Sequence, residues 1–169
     1  MTRKIAVDDA ALRRLSRRVA KRLRAAGETI VTAESCSGGL LAKCLTDLPG
    51  SSDYFDRGWI TYSNAAKRAE LGIEASTLTH FGAVSETVAV AMARGALKNS
   101  QADRAVAVTG IAGPTGGSKA KPVGLVWIAW AARREGRTSV HAIGYRFSGG
   151  RDAVRRWTVV AALKGLLEP

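Results

Sequence analysis

Thr29-Ile30-Val31-Thr32-Ala33-Glu34-Ser35-Cys36-Ser37-Gly38-Gly39-Leu40-Leu41-Ala42-Lys43-Cys44-Leu45 passes through three compositions in turn. The β-branched start reads as a buried strand and the Leu/Ala/Lys end as a helix, so Ser35 is expected at a strand-to-helix turn. There the unpaired N–H groups of the helix's first turn, with the positive end of its dipole, favour an anion: a substrate phosphate or a developing oxyanion. Gly38 and Gly39 would let that backbone approach a ligand closely. Taken alone, the same residues also make an ordinary turn in which Ser35 or Ser37 is an N-cap.

The pattern recurs downstream. Gly58-Trp59-Ile60-Thr61-Tyr62 reads as a second strand running into Ser63-Asn64-Ala65-Ala66-Lys67-Arg68-Ala69-Glu70-Leu71-Gly72, a short helix capped by Ser63 or Asn64 and ended by Gly72. Tyr62 would close the strand, and Lys67 would sit in the helix's first turns, where the dipole disfavours a cation and eases its deprotonation. Singly, Lys67 reads as a surface lysine and Tyr62 as a half-buried strand residue. A long helix follows from about Glu86, capped by Ser85 and carrying a small-residue face, with His80 in the loop before it.

Asp103–Thr109 is a third strand, entering the glycine-dense Gly110-Ile111-Ala112-Gly113-Pro114-Thr115-Gly116-Gly117-Ser118. Such a loop can wrap a phosphate with backbone N–H groups, although neither the Walker A nor the dinucleotide spacing is present, and it reads equally as a flexible loop. Val123–Ala131 and Thr138–Phe147 are further strands bent back through Gly136, and a final helix runs from about Arg151 to Leu167, with Arg151 and Arg155 in its first turns. Strands alternating with helices predict an α/β fold: a three-layer α/β/α sandwich on a mixed, mostly parallel sheet of about five strands, with ligands gathered at the strand carboxyl ends.

At 169 residues and 46% hydrophobic content the chain is long enough for one core and short for two. We expect a single domain over residues 1–169, with a basic amphipathic helix in 1–27 and a catalytic core in 28–169. The net charge of +12 is concentrated in Arg3, Lys4, Arg13, Arg14, Arg17, Arg18, Lys21, Arg22 and Arg24. A nucleic-acid surface is one reading, but no aromatic residues interleave the charges, and a solvated helix face is the expectation. No apolar run approaches the roughly 20 residues that cross a bilayer, which predicts a cytoplasmic protein with no membrane contact. Cys36 and Cys44 are the only cysteines and His80 and His141 the only histidines, a poor basis for zinc or any metal site.

Six ordered motifs, Thr32–Gly39, Pro49–Ser52, Tyr62–Lys67, Gly82–Ser85, Thr109–Pro114 and Lys121–Gly124, together resemble the CinA C-terminal domain family. The resemblance runs from about Glu28 to the last helix. It implies deamidation of nicotinamide mononucleotide to nicotinate mononucleotide and ammonia. Longer members carry a preceding molybdopterin-binding-like domain, so this chain is expected to be the stand-alone form. Two positions depart from the family pattern: Ser37 replaces a threonine, and Gly149-Gly150-Arg151 lacks an aspartate before its arginine.

Residue chemistry and resemblance converge on a serine amidohydrolase. Ser35 is expected to be the nucleophile and Lys67 its general base, with Tyr62 relaying a proton or orienting the base and Thr109 binding the amide or positioning Ser35. Substrate contacts are expected from Glu34, Cys36, Ser37, Gly38, Gly39, Asn64, Gly110, Gly116, Gly117 and Arg151: oxyanion donors at Cys36 and Ser37, phosphate contacts at the glycine loop and Arg151. Glu34 either polarises a neighbour or bonds the turn. The scheme needs no cofactor. Cys36 as nucleophile, a different phosphorylated amide as substrate, and a non-enzymatic interaction module tied to competence or DNA repair are the alternatives. A homodimer or higher homo-oligomer is expected through the small-residue helix and exposed tryptophans.

Overall fold

The computed structural model describes residues 7–168; Arg3 and Lys4 lie outside them. Helix α1 (Asp9–Ala26) starts where the Asp8 carboxylate accepts from the Ala11 N–H at 2.7 Å and ends on Gly27 in the left-handed region. It buries Leu12, Val19, Ala20 and Leu23 and turns Arg13, Arg14, Arg17, Arg18 and Lys21 outward. The apolar stripe thus follows the helical period.

Five strands form one sheet: β1 (Ile30–Glu34), β2 (Phe55–Ile60), β3 (Arg104–Gly110), β4 (Leu125–Arg134) and β5 (Arg137–Arg146), in the order β2-β1-β3-β4-β5. The strands β2, β1 and β3 run parallel, and β4 runs antiparallel to both its neighbours. The β4–β5 hairpin bends at Glu135 and Gly136, both at positive φ, as a two-residue loop between twisted strands requires. Five more helices complete the layers: α2 (Leu40–Thr46), α3 (Asn64–Leu71), α4 (Ala75–Phe81), α5 (Glu86–Lys98) and α6 (Arg151–Gly165).

The two faces of the sheet differ in side-chain size. Ile30, Val106, Val108, Val126, Ile128 and Trp130 meet α1, α2 and α6 in one core cluster. On the other face Val31 is joined by Ala33, Ala105, Ala107, Ala129 and Ala131, packed with Ala89, Met92, Ala93 and Ala96 of α5. Alternation along each strand produces both sets. Small residues on both partners seat α5 close to the sheet, and a Cβ at Gly95 would lie 2.2 Å from the Leu71 carbonyl oxygen, so glycine there lets α3 end against α5. Truncating a fully buried Ile128 or Leu163 to alanine should cost about 2–5 kcal/mol.

Some expectations shift. The last β1–β2 pair is Glu34 with Ile60, so the strand ends there, and Thr61 and Tyr62 lie in the link to α3. His80 belongs to the last turn of α4, not to a loop. The tryptophans are buried or half-buried, leaving none exposed for a partner. Among the described residues no helix is long and apolar enough to cross a membrane.

Candidate active site

Parallel strands β1, β2 and β3 deliver their carboxyl ends to one edge, which is where Ser35, Thr61 and Thr109 fall. The Ser35 N–H donates to the Val108 carbonyl at 3.0 Å, continuing the β1–β3 ladder one residue past the strand. That bond fixes the serine's backbone before the chain turns.

Across the edge, Ser63 caps α3 by accepting from the Ala66 N–H at 3.0 Å; Asn64 is the exposed first helical residue and not the cap. The capped turn carries Lys67 inward, where only 1% of its surface is exposed. Its Nζ lies 3.0 Å from Ser35 Oγ and 2.6 Å from the Thr61 carbonyl oxygen. No carboxylate pairs with it among the described residues. Burial therefore lowers the Lys67 pKa from its ordinary value. A neutral Nζ can donate to Thr61 and still direct a lone pair at the serine hydroxyl.

Cys36 follows Ser35 but is 5% exposed, and burial pushes its thiol up to about 12. A thiol held there is not the thiolate that a cysteine nucleophile requires. Glu34 is fully buried and points to the opposite face of β1 from Ala33. Its carboxylate accepts from Ser37 Oγ at 2.7 Å and from the N–H groups of Gly39, Leu41 and Ala42 at 3.0, 3.1 and 2.8 Å. This corrects the expected anion site: the α2 N-terminus is already filled by the protein's own carboxylate, and the Gly39 N–H is occupied. Gly39 is required sterically, with φ of +90° and a Cβ that would sit 2.9 Å from Ile60 Cδ1. Gly38 is exposed beside Arg155.

Tyr62 does not contact the Ser35–Lys67 pair through a hydrogen bond. It is 57% exposed, and its hydroxyl accepts from Arg151 Nη2 at 2.5 Å, because the strand ends two residues earlier than expected. Arg151 also donates to the Gly113 carbonyl at 3.0 Å, so it links the Tyr62 segment to the glycine loop. Thr109 Oγ1 donates to the Ala83 carbonyl at 2.7 Å, tying β3 to the segment before α5. Of the loop glycines, Gly110 and Gly117 have closely packed neighbours: a Cβ would lie 2.7 Å from Val126 Cγ2 and 2.8 Å from the Val123 nitrogen, respectively. Gly116 is exposed at φ of +87°. The sequence reading missed Thr61 and placed Arg155 only in the first turns of the last helix. Thr61 anchors the lysine through its carbonyl, which carries no sequence signal. Arg155 donates from Nε and Nη2 to the Ser37 carbonyl at 3.2 and 2.8 Å; its place one turn after Arg151 was the available cue.

Among the described residues no three His, Cys, Asp or Glu side chains gather as a metal-binding group. An α/β sandwich that joins a serine hydroxyl to a buried, uncompensated lysine at the carboxyl ends of its parallel strands has the parts of a serine–lysine nucleophile and base. Residues 12–169 match the model of the CinA C-terminal domain, and the chain belongs to that family. It is 54% identical over 94% of both chains to the nicotinamide-nucleotide amidohydrolase PncC of Escherichia coli, and 49% identical to that of Pseudomonas putida over 91% of this chain and 94% of the relative. A CinA-like protein of Syntrophobacter fumaroxidans matches at 50% identity over 88% of this chain but 34% of its own length. Among solved structures, competence/damage inducible protein CihA from Agrobacterium tumefaciens superposes with a TM-score of 0.88 at 47% identity, covering 96% of this chain and 98% of that one.

Proposed function

We propose that this protein hydrolyses the carboxamide of nicotinamide mononucleotide, giving nicotinate mononucleotide and ammonia, with Ser35 as nucleophile and Lys67 as base. The observation that carries the assignment of roles is the 3.0 Å approach of Lys67 Nζ to Ser35 Oγ in a site where the lysine has no carboxylate partner among the described residues. The substrate follows from the near-full-length likeness to nicotinamide-nucleotide amidohydrolases.

Neutral Lys67 takes the Ser35 proton as Oγ attacks the carboxamide carbon. The resulting oxyanion is met by the N–H of Cys36; the Ser37 N–H, expected beside it, is fully buried. Collapse of the tetrahedral species breaks the C–N bond, and the lysine returns its proton to the departing nitrogen as ammonia. Water then attacks the acyl-serine with Lys67 again as base, releasing the carboxylate and Ser35. Throughout, the Thr61 carbonyl accepts from Nζ in either protonation state, so the base stays aimed. Arg151, on the rim with Tyr62, supplies positive charge for the phosphate, and Thr109 holds the wall of the site through Ala83. The scheme uses no metal or organic cofactor.

We place the protein in the cytoplasm as one domain and as a homodimer or higher oligomer; the unpaired edge strands β2 and β5 and the 41%-exposed Ile143 support self-association, which light scattering measures. The activity is tested by ammonia release from nicotinamide mononucleotide by wild type, Ser35→Ala and Lys67→Ala. Turnover in wild type lost in both variants supports the reading; a folded wild type with no turnover overturns it.

A further inference from the structure

We propose that Glu34 is a positioning residue: its carboxylate is the built-in anion of the α2 N-terminus, and it shapes the Ser35 turn so that the Cys36 N–H, next to the nucleophile, stays free for the oxyanion. The proposal rests on the hydrolase reading above.

The N-cap of α2 is Gly39, which has no side chain with which to cap. Glu34 does the work from five residues upstream, accepting from the helix N–H groups that an N-cap side chain ordinarily reaches. Its Oε2 takes Ser37 Oγ, Gly39 N and Leu41 N, and its Oε1 takes Ala42 N, with Thr32 Oγ1 at the 3.5 Å limit. The remaining backbone donors of the turn are also spent: Ser35 on Val108, Gly38 on Ser35, Leu40 on Ser37 and Lys43 on Gly39. Within the turn from Ser35 to Lys43, the N–H groups of Cys36 and Ser37 have no acceptor on another residue; Ser37 is fully buried, which leaves the Cys36 N–H for the oxyanion.

Ser37 is held from two sides. Its hydroxyl is tied to Glu34 and its carbonyl to Arg155, and the Ser35 N–H is tied to Val108, so Cys36 lies between two anchored residues. Oxyanion donors stabilise only when they are fixed before the charge appears. Glu34 has a second consequence. Its acceptors are spent on α2, on the other face of β1 from Lys67, so it is no counter-ion for the base; the lowered Lys67 pKa has desolvation as its leading cause. The substrate phosphate, in turn, finds the α2 N-terminus occupied and must bind elsewhere on the rim.

The test is Glu34→Gln, which keeps length and one carbonyl oxygen but turns an NH2 toward N–H donors. We expect kcat on nicotinamide mononucleotide to fall about 10²-fold, as for loss of an oxyanion donor, with KM little changed. Pyridine-3-boronic acid, whose tetrahedral serine adduct places an oxygen at the oxyanion position, should bind Glu34→Gln more weakly by a similar factor. Nicotinate mononucleotide should bind both proteins alike. A folded Glu34→Gln with wild-type kcat and boronate affinity overturns the proposal. So does a rise in KM at constant kcat, which would make Glu34 a ground-state substrate contact. If Glu34→Gln does not fold, Ser37→Ala cuts one bond to Glu34 while leaving the N–H, and a fall in kcat and boronate affinity of about tenfold is expected; unchanged values overturn the proposal. Boronate binding reads the turn by direct titration, so it reports on Glu34 even if wild type proves inactive on nicotinamide mononucleotide.

Discussion

The β1–α2 and β2–α3 turns have the same plan and opposite electrostatics. Each leaves the carboxyl end of a parallel strand and enters a short helix. At the first, the helix N-terminus is met by a buried carboxylate that bonds its N–H groups, and Ser35, the proposed nucleophile, stands beside it. At the second, a neutral serine hydroxyl caps the helix and the first turns carry a buried lysine with no carboxylate partner among the described residues. The helix dipole favours the first arrangement and opposes the second. On the proposed mechanism, the electrostatically favoured turn carries the group that must be held still, and the disfavoured one carries the group that must give up its charge.

Ser35→Ala and Lys67→Ala remove one member from each turn and should have the largest effects, about 10²–10⁴-fold or more in kcat for the base. Lys67→Arg should be as damaging, because a guanidinium is not deprotonated in this range. Rates of ammonia release measure both.

The pH dependence sharpens the contrast. Because the Lys67 pKa is lowered from its ordinary value of 10.5, kcat/KM should rise with pH through a midpoint below that value. Stability has the same sign. Between the lowered folded pKa and 10.5 the unfolded chain binds more protons at this site, so ΔG of unfolding gains with pH there, and below the folded pKa the full cost of a buried ammonium is paid. Lys67→Met should accordingly be more stable than wild type near neutrality, with the difference shrinking toward pH 10.5. Denaturant titrations across pH measure it.

Smaller effects test the roles of neighbours. Cys36→Ala should keep most activity, and the native thiol, raised to about 12, should resist iodoacetamide near neutral pH as followed by mass spectrometry. Ser63→Ala removes the α3 cap and should cost about 1 kcal/mol by chemical denaturation. Its effect on kcat should be minor if the Thr61 carbonyl is enough to aim the lysine.

Much of this was legible locally. β-Branched runs, the Gly38-Gly39 pair and the Ser63 cap placed both turns, and a lysine in a helix's first turns marked the proposed base. The Tyr62 position was misjudged because strand β2 is ended by its register with β1, a nonlocal fact. Helix α4 went unread although Ala75–Phe81 is short and polar on much of its length. Glu34 was left open between two roles, since its partners on α2 become visible only when the turn is folded over it.

Residue types and their order determined the alternation of strands and helices, the family, and which side chains could do chemistry, because propensity, capping and side-chain functionality are carried by each residue and its near neighbours. The tertiary structure decided which of those groups meet. Burial of Lys67, its approach to Ser35, and the direction of Glu34 toward α2 and away from Lys67 all depend on packing between elements distant in sequence. Desolvation and hydrogen-bond geometry exist only once those elements are packed together.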